Sequence, residues 1–97
     1  MEPNPFKDKA IYDRPFPEEM YGQVIEGIDV AILSADSLRI MAALAQTCEL
    51  SAIQLKVFRR CREELLEVVP HLSAYAREYF VKLLEEVEQT LKRLVVE

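Results

Sequence analysis

Cys48, Cys61 and His71 are the residues of this chain best equipped for metal or nucleophilic chemistry. Their spacing suits neither. Zinc is held by three or four soft ligands in tight clusters, often with two cysteines roughly two to four residues apart, whereas the gaps here are 13 and 10 residues. Glu67 lies one helical turn before His71, but Pro70 interrupts that turn. A Cys61–His71 dyad would need a third group to orient the imidazole and free amides to hold an oxyanion. With two glycines in 97 residues, no glycine-rich loop supplies them. Glu63-Glu64 and Glu85-Glu86 are adjacent pairs, which diverge on a helix instead of converging on a substrate. No catalytic, cofactor or metal residue is assigned, and the chain reads as non-enzymatic.

A second chemistry is phosphate contact. Residues 44–60, "LAQTCELSAIQLKVFRR", have the cadence of a helix-turn-helix: Ala45 is the small residue of the first helix, Leu50 sits in the turn and Ser51 opens the second. Lys56, Arg59, Arg60 and Arg62 would then touch the nucleic-acid backbone. Two features oppose this. Glu49 stands where glycine usually makes the turn, and the groove-facing positions hold apolar Ile53 and Val57. In an ordinary helical corner, Arg59 and Arg60 would instead pair with Glu63 and Glu64. DNA binding through residues 44–60 is kept as the alternative reading.

The third chemistry is aromatic recognition. Four of the five prolines fall in the first 17 residues, interleaved with Phe6, Tyr12 and Phe16. Asn4-Pro5-Phe6 resembles the short motif read by EH domains. Such stiff, aromatic segments can dock on other proteins. Together with Tyr21, Tyr75 and Tyr79 they form the candidate partner-binding set, because large aromatics dominate interface energetics.

These residues must be positioned by helices. The composition, 51% hydrophobic and 30% charged with little glycine, suits a packed helical domain and excludes a disordered chain. The net charge of -5 disfavours general attraction to nucleic acid or anionic membranes. The acid excess is concentrated in residues 1–33, which hold seven acids against three bases. No apolar run approaches the roughly 20 residues needed to span a bilayer, and "MEPNPFKDKA" lacks a signal-peptide core. The expectation is a cytoplasmic protein with reduced thiols.

The tripeptide Leu-Ser-Ala occurs at 33–35, 50–52 and 72–74. Serine is a favoured helix N-cap, so each copy is a candidate helix start. Ser51 is the strongest: Gln54 completes a capping box, and Leu50 can staple onto Leu55. Ser34, or equally Asp36, would open an earlier helix, and Pro70 ends the helix before Ser73. The reading is an all-α fold: a Pro-rich arm over 1–16, extended or partly disordered, then a single domain over 17–97. That domain is a three- or four-helix antiparallel bundle with helices at 17–33, 36–48, 52–69 and 74–95. Residues 36–69 as one kinked helix, and a strand at 28–33, are the competing local readings. The helix is preferred to the strand because no second strand is expected nearby to pair with it.

This architecture leads to a small interaction module: an adaptor, a chaperone-like cofactor or an inhibitor subunit. It would bind a protein partner or itself, as a homo-oligomer, through an apolar helix face and the aromatic arm. No membrane partner is expected.

Overall fold

A computed structural model describes residues 14–95. The described residues are mostly helical, with three helices and a two-stranded ribbon. The strands are β1 (Val24–Ile25) and β2 (Ile28–Asp29), and the helices are α1 (Val30–Thr47), α2 (Ala52–Val68) and α3 (Ala74–Val95). Single 3-10 turns occupy Glu18–Met20 and Val69–His71. Of the Pro-rich arm, Arg14, Pro15 and Phe16 are described; Asn4-Pro5-Phe6 and Tyr12 lie outside the described residues.

The helix expected over 17–33 is replaced by the 3-10 turn and the ribbon. Both glycines explain why. Tyr21 (φ -63, ψ 130) and Gly22 (φ 79) are the centre of a type II turn, closed by Gln23 N–H donating to the Met20 carbonyl at 3.1 Å. Glu26 (φ 54) and Gly27 (φ 77) form the two-residue link between β1 and β2. Consecutive positive φ values are the signature of the hairpin turn whose twist matches that of its strands. Val24 pairs with Asp29 and Ile25 with Ile28. The missing partner strand is therefore the one immediately before the turn.

Asp29 ends the ribbon and starts α1. Its Oδ1 accepts from the amides of Ala31 and Ile32, both at 3.1 Å. The first long helix thus begins at Val30, several residues before the caps expected at Ser34 or Asp36. Ser34 is an interior helical residue, buried, with its hydroxyl 2.8 Å from the Tyr79 hydroxyl. Ser51 does cap α2: its Oγ accepts from Gln54 N–H at 3.1 Å, and Gln54 Oε1 accepts from Ser51 N–H at 2.9 Å. Such a cap contributes about 1 kcal/mol. Between α1 and α2 the chain reverses at Cys48, which adopts the left-handed conformation (φ 63, ψ 11) while its N–H donates to the Leu44 carbonyl. Residues 36–69 are accordingly two helices.

Short connections make sequential helices antiparallel neighbours. α1 and α3 then run the same way: Ser34 meets Tyr79, and further along Met41 Sδ lies 4.0 Å from Thr90 Oγ1. The core is built from Val30, Leu33, Ile40 and Met41 of α1, Phe58, Cys61, Leu65 and Val68 of α2, and Tyr79, Phe80, Leu83 and Val87 of α3. The inward face of α2 carries Phe58, Cys61, Leu65 and Val68. Phe58 is at its centre, Val57 is half-buried and Ile53 is exposed. α1 is not enclosed all round: Ala42 is exposed and Ala43 and Ala45 are half-buried. With 18 residues and a mean hydropathy of 1.2, α1 is long and apolar enough to cross a membrane by length and composition. It departs from the expectation that no apolar run approaches that length. In this fold its apolar side supplies part of the bundle core.

Candidate interaction surfaces

The end of the Pro-rich arm is packed onto α3. The Phe16 ring stands edge-on to Tyr79 (centroids 5.5 Å apart, 83°) and to Phe80 (6.0 Å, 80°), and lies 4.7 Å from Tyr21. Edge-to-face pairs at these separations are favourable. The Tyr75 hydroxyl donates to the Pro15 carbonyl at 2.6 Å, fastening the same stretch from the other side. The aromatic set therefore divides. Tyr79 is buried and Phe16 half-buried within this cluster, Tyr75 is at the edge of exposure, and Tyr21 is exposed. Phe6 and Tyr12 lie outside the described residues.

The hairpin gathers a different set. Tyr21, Val24 and Ile32 are 63%, 62% and 58% exposed. They belong to one local unit: Tyr21 is in the turn that leads into β1, Val24 is paired with Asp29, and Asp29 caps the helical turn that carries Ile32. Val24 and Ile32 both fit the spacing of a helix over 17–33, so the sequence does not set them apart. The hairpin places Val24 outward, and Ile32 lies on the exposed side of the first turn of α1. The unit is fixed at its tip by Glu26, whose Oε2 lies 3.1 Å from His71 Nε2 in the α2–α3 connection.

The basic residues of α2 are divided by ion pairing. Arg60 Nε lies 3.2 Å from Glu64 Oε2, one turn on, and Arg62 Nε lies 3.3 Å from Glu88 Oε2 of α3. Glu88 therefore reaches across to α2, not along its own helix to Lys92. Lys56 and Arg59 are exposed. The predicted helix-turn-helix residues thus share a surface in which Arg62 binds α2 to α3.

His71 and the two thiols have separate surroundings. His71 faces Glu26, Cys48 is exposed at the α1–α2 turn, and Cys61 is buried against Ser37 of α1. Burial pushes the Cys61 thiol up, a shift partly offset by its hydrogen bond to Ser37. Among the described residues, no group of three or more His, Cys, Asp or Glu is placed to hold a metal ion. The thiols should differ sharply in reactivity, since the thiolate is the nucleophile and needs access. A disulfide reagent at neutral pH should modify Cys48 rapidly and Cys61 only on unfolding. Two equally fast thiols in the folded protein would contradict the packing of α1 on α2.

The fold and surfaces define a small three-helix bundle with an N-terminal β-hairpin and a docked proline-aromatic segment. No protein-family model, no curated protein and no solved structure matches the chain.

Proposed function

We propose that this protein is a non-enzymatic protein–protein interaction module, an adaptor, chaperone-like cofactor or inhibitor subunit, whose main contact is the hairpin face. One observation carries the reading: Tyr21, Val24 and Ile32 are large apolar side chains, each more than half exposed, within one compact unit. Exposing such a group costs solvation free energy that burial against a partner recovers. The partner is another protein or a second copy of this chain. The aromatic arm, through Phe6 and Tyr12, is the secondary contact.

The test is a triple variant, Tyr21→Ser with Val24→Ser and Ile32→Ser. These side chains are largely outside the core, so the helical circular-dichroism spectrum should be retained. Assembly with a partner or with itself, followed by sedimentation and affinity capture, should be lost. Unchanged assembly in a folded triple variant would refute the hairpin as the contact.

The alternative, a DNA-binding regulator using residues 44–60, draws support from the sharp Cys48 turn and the capped start of α2. Against it stand the net acidity and the carboxylates already engaging Arg60 and Arg62. Duplex binding that falls steeply with salt, and disappears when Lys56, Arg59 and Arg60 become Glu, would favour it.

A further inference from the structure

We infer that the outer side of α2, with the C-terminal half of α3, is a docking surface for an acidic, amphipathic peptide segment of another protein. It is independent of the hairpin face. A groove of about 470 Å³ runs between the two helices, lined by Arg59, Arg62, Glu63, Glu88, Leu91 and Lys92. A second hollow of about 490 Å³ adjoins it along α2, where Ala52, Leu55, Lys56 and Arg60 join Arg59 and Glu63. Arg59 and Glu63 line both, so the two form one continuous surface.

Its charge runs against that of the molecule. The whole chain is at -5, yet five bases line this surface against two carboxylates. Arg60 is paired with Glu64, and Arg62 with Glu88. Lys56, Arg59 and Lys92 are exposed and have no ion pair among the described residues. Between them lie two apolar side chains, Leu55 half-buried and Leu91 buried with only its edge reaching the groove. Exposed cations over an apolar floor call for an occupant with carboxylates on its flanks and aliphatic groups on its inner face. Arginine and carboxylate match in geometry as well as charge.

A peptide fits better than a nucleic acid. Duplex DNA presents a phosphate charge about every 1.7 Å of its axis, and Glu63 and Glu88 stand within the surface where those phosphates would lie. A peptide can place its few carboxylates at Lys56, Arg59 and Lys92, and a leucine over the half-buried Leu55 beside the edge of Leu91.

Fluorescence anisotropy with the full chain at low salt tests this. The probes are a labelled peptide of repeated Glu-Leu-Leu-Glu units, its Lys-Leu-Leu-Lys counterpart and a short DNA duplex. The acidic peptide should bind. Arg59→Glu combined with Lys92→Glu should weaken it by at least about tenfold, and the double Gln variant should fall between. Binding should also weaken as salt is added. The triple hairpin variant should bind the acidic peptide as the native protein does, which separates this surface from the hairpin. Both charge variants should unfold at the native midpoint, since the substituted residues are exposed. No binding of the acidic peptide would overturn the inference, as would equal binding of the basic peptide. Tighter binding of the duplex would move the surface to nucleic acid. Self-association abolished by the same charge reversals would assign it to a second copy.

Discussion

Tyr79→Ala should destabilise the protein by about 3–5 kcal/mol. A domain of this size has roughly 5–15 kcal/mol in total, so the variant should melt lower by on the order of 20 °C. The size of the effect follows from position. Tyr79 is fully enclosed, its ring meets Phe16, Tyr75 and Phe80, and its hydroxyl is bonded to Ser34 of α1. Removing it opens a cavity where the arm, α1 and α3 converge. Tyr79→Phe isolates the polar part. It leaves Ser34 without its partner, at about 1 kcal/mol, and combining it with Ser34→Ala should cost less than the sum of the single changes. A thermal melt of Tyr79→Ala within a few degrees of native would contradict the docked arm and the shared core.

The same residue gives stability a pH dependence. Burial raises the Tyr79 phenol, only partly opposed by its bond to Ser34, and burial likewise raises Cys61. Both groups are neutral when protonated, so the unfolded chain ionises first. Stability should be unaffected by these groups below the ordinary thiol and phenol range, about 8.5 to 10, and should fall as pH rises through it. Tyr79→Phe should make that alkaline fall shallower. A slope identical to that of the native protein would show that Tyr79 is not desolvated.

Gly27→Ala should destabilise the protein by about 1–2 kcal/mol, because a Cβ is disfavoured at φ 77. Space is not the reason: nothing lies within 4 Å of where the Cβ would stand. Gly27→Val should cost more, since a branched side chain tolerates positive φ least, while Gly27→Asn should be close to neutral. The sign is diagnostic. Were residues 17–33 helical, Gly27→Ala would stabilise by about 1 kcal/mol. Denaturant midpoints for the three variants separate the two structures without reference to function.

That reversal shows where sequence reasoning reached its limit. Ile25, Ile28 and Ile32 recur at three and four, as a helix requires, while Ile28, Val30 and Ile32 alternate as a strand requires. Periodicity alone cannot arbitrate over so short a stretch. The deciding signal was Glu26-Gly27, a two-residue turn with a strand-compatible pair on each side. Asp29 was equally available as a cap, lying just before an unbroken apolar run. The cap at Ser51 was legible because both its partners lie within one turn, and the Pro70 interruption because proline acts locally. By contrast, the exposure of Val24, Ile32 and Ile53 and the burial of Tyr79 are set by how the elements pack. No local pattern encodes them. Residue type alone therefore groups the aromatics, and the structure sorts the described ones into one largely exposed ring, Tyr21, and a cluster of Phe16, Tyr75 and Tyr79 that holds the end of the arm to α3.

The hairpin contact is tested most directly by placing a photoreactive benzoyl-phenylalanine at position 24, and separately at Ala42 on the exposed side of α1, then irradiating intact cells. The account predicts a discrete crosslinked species from position 24, to another protein or to a second copy, with little from position 42. Equal yields from the two positions, or adducts from 42 alone, would contradict it.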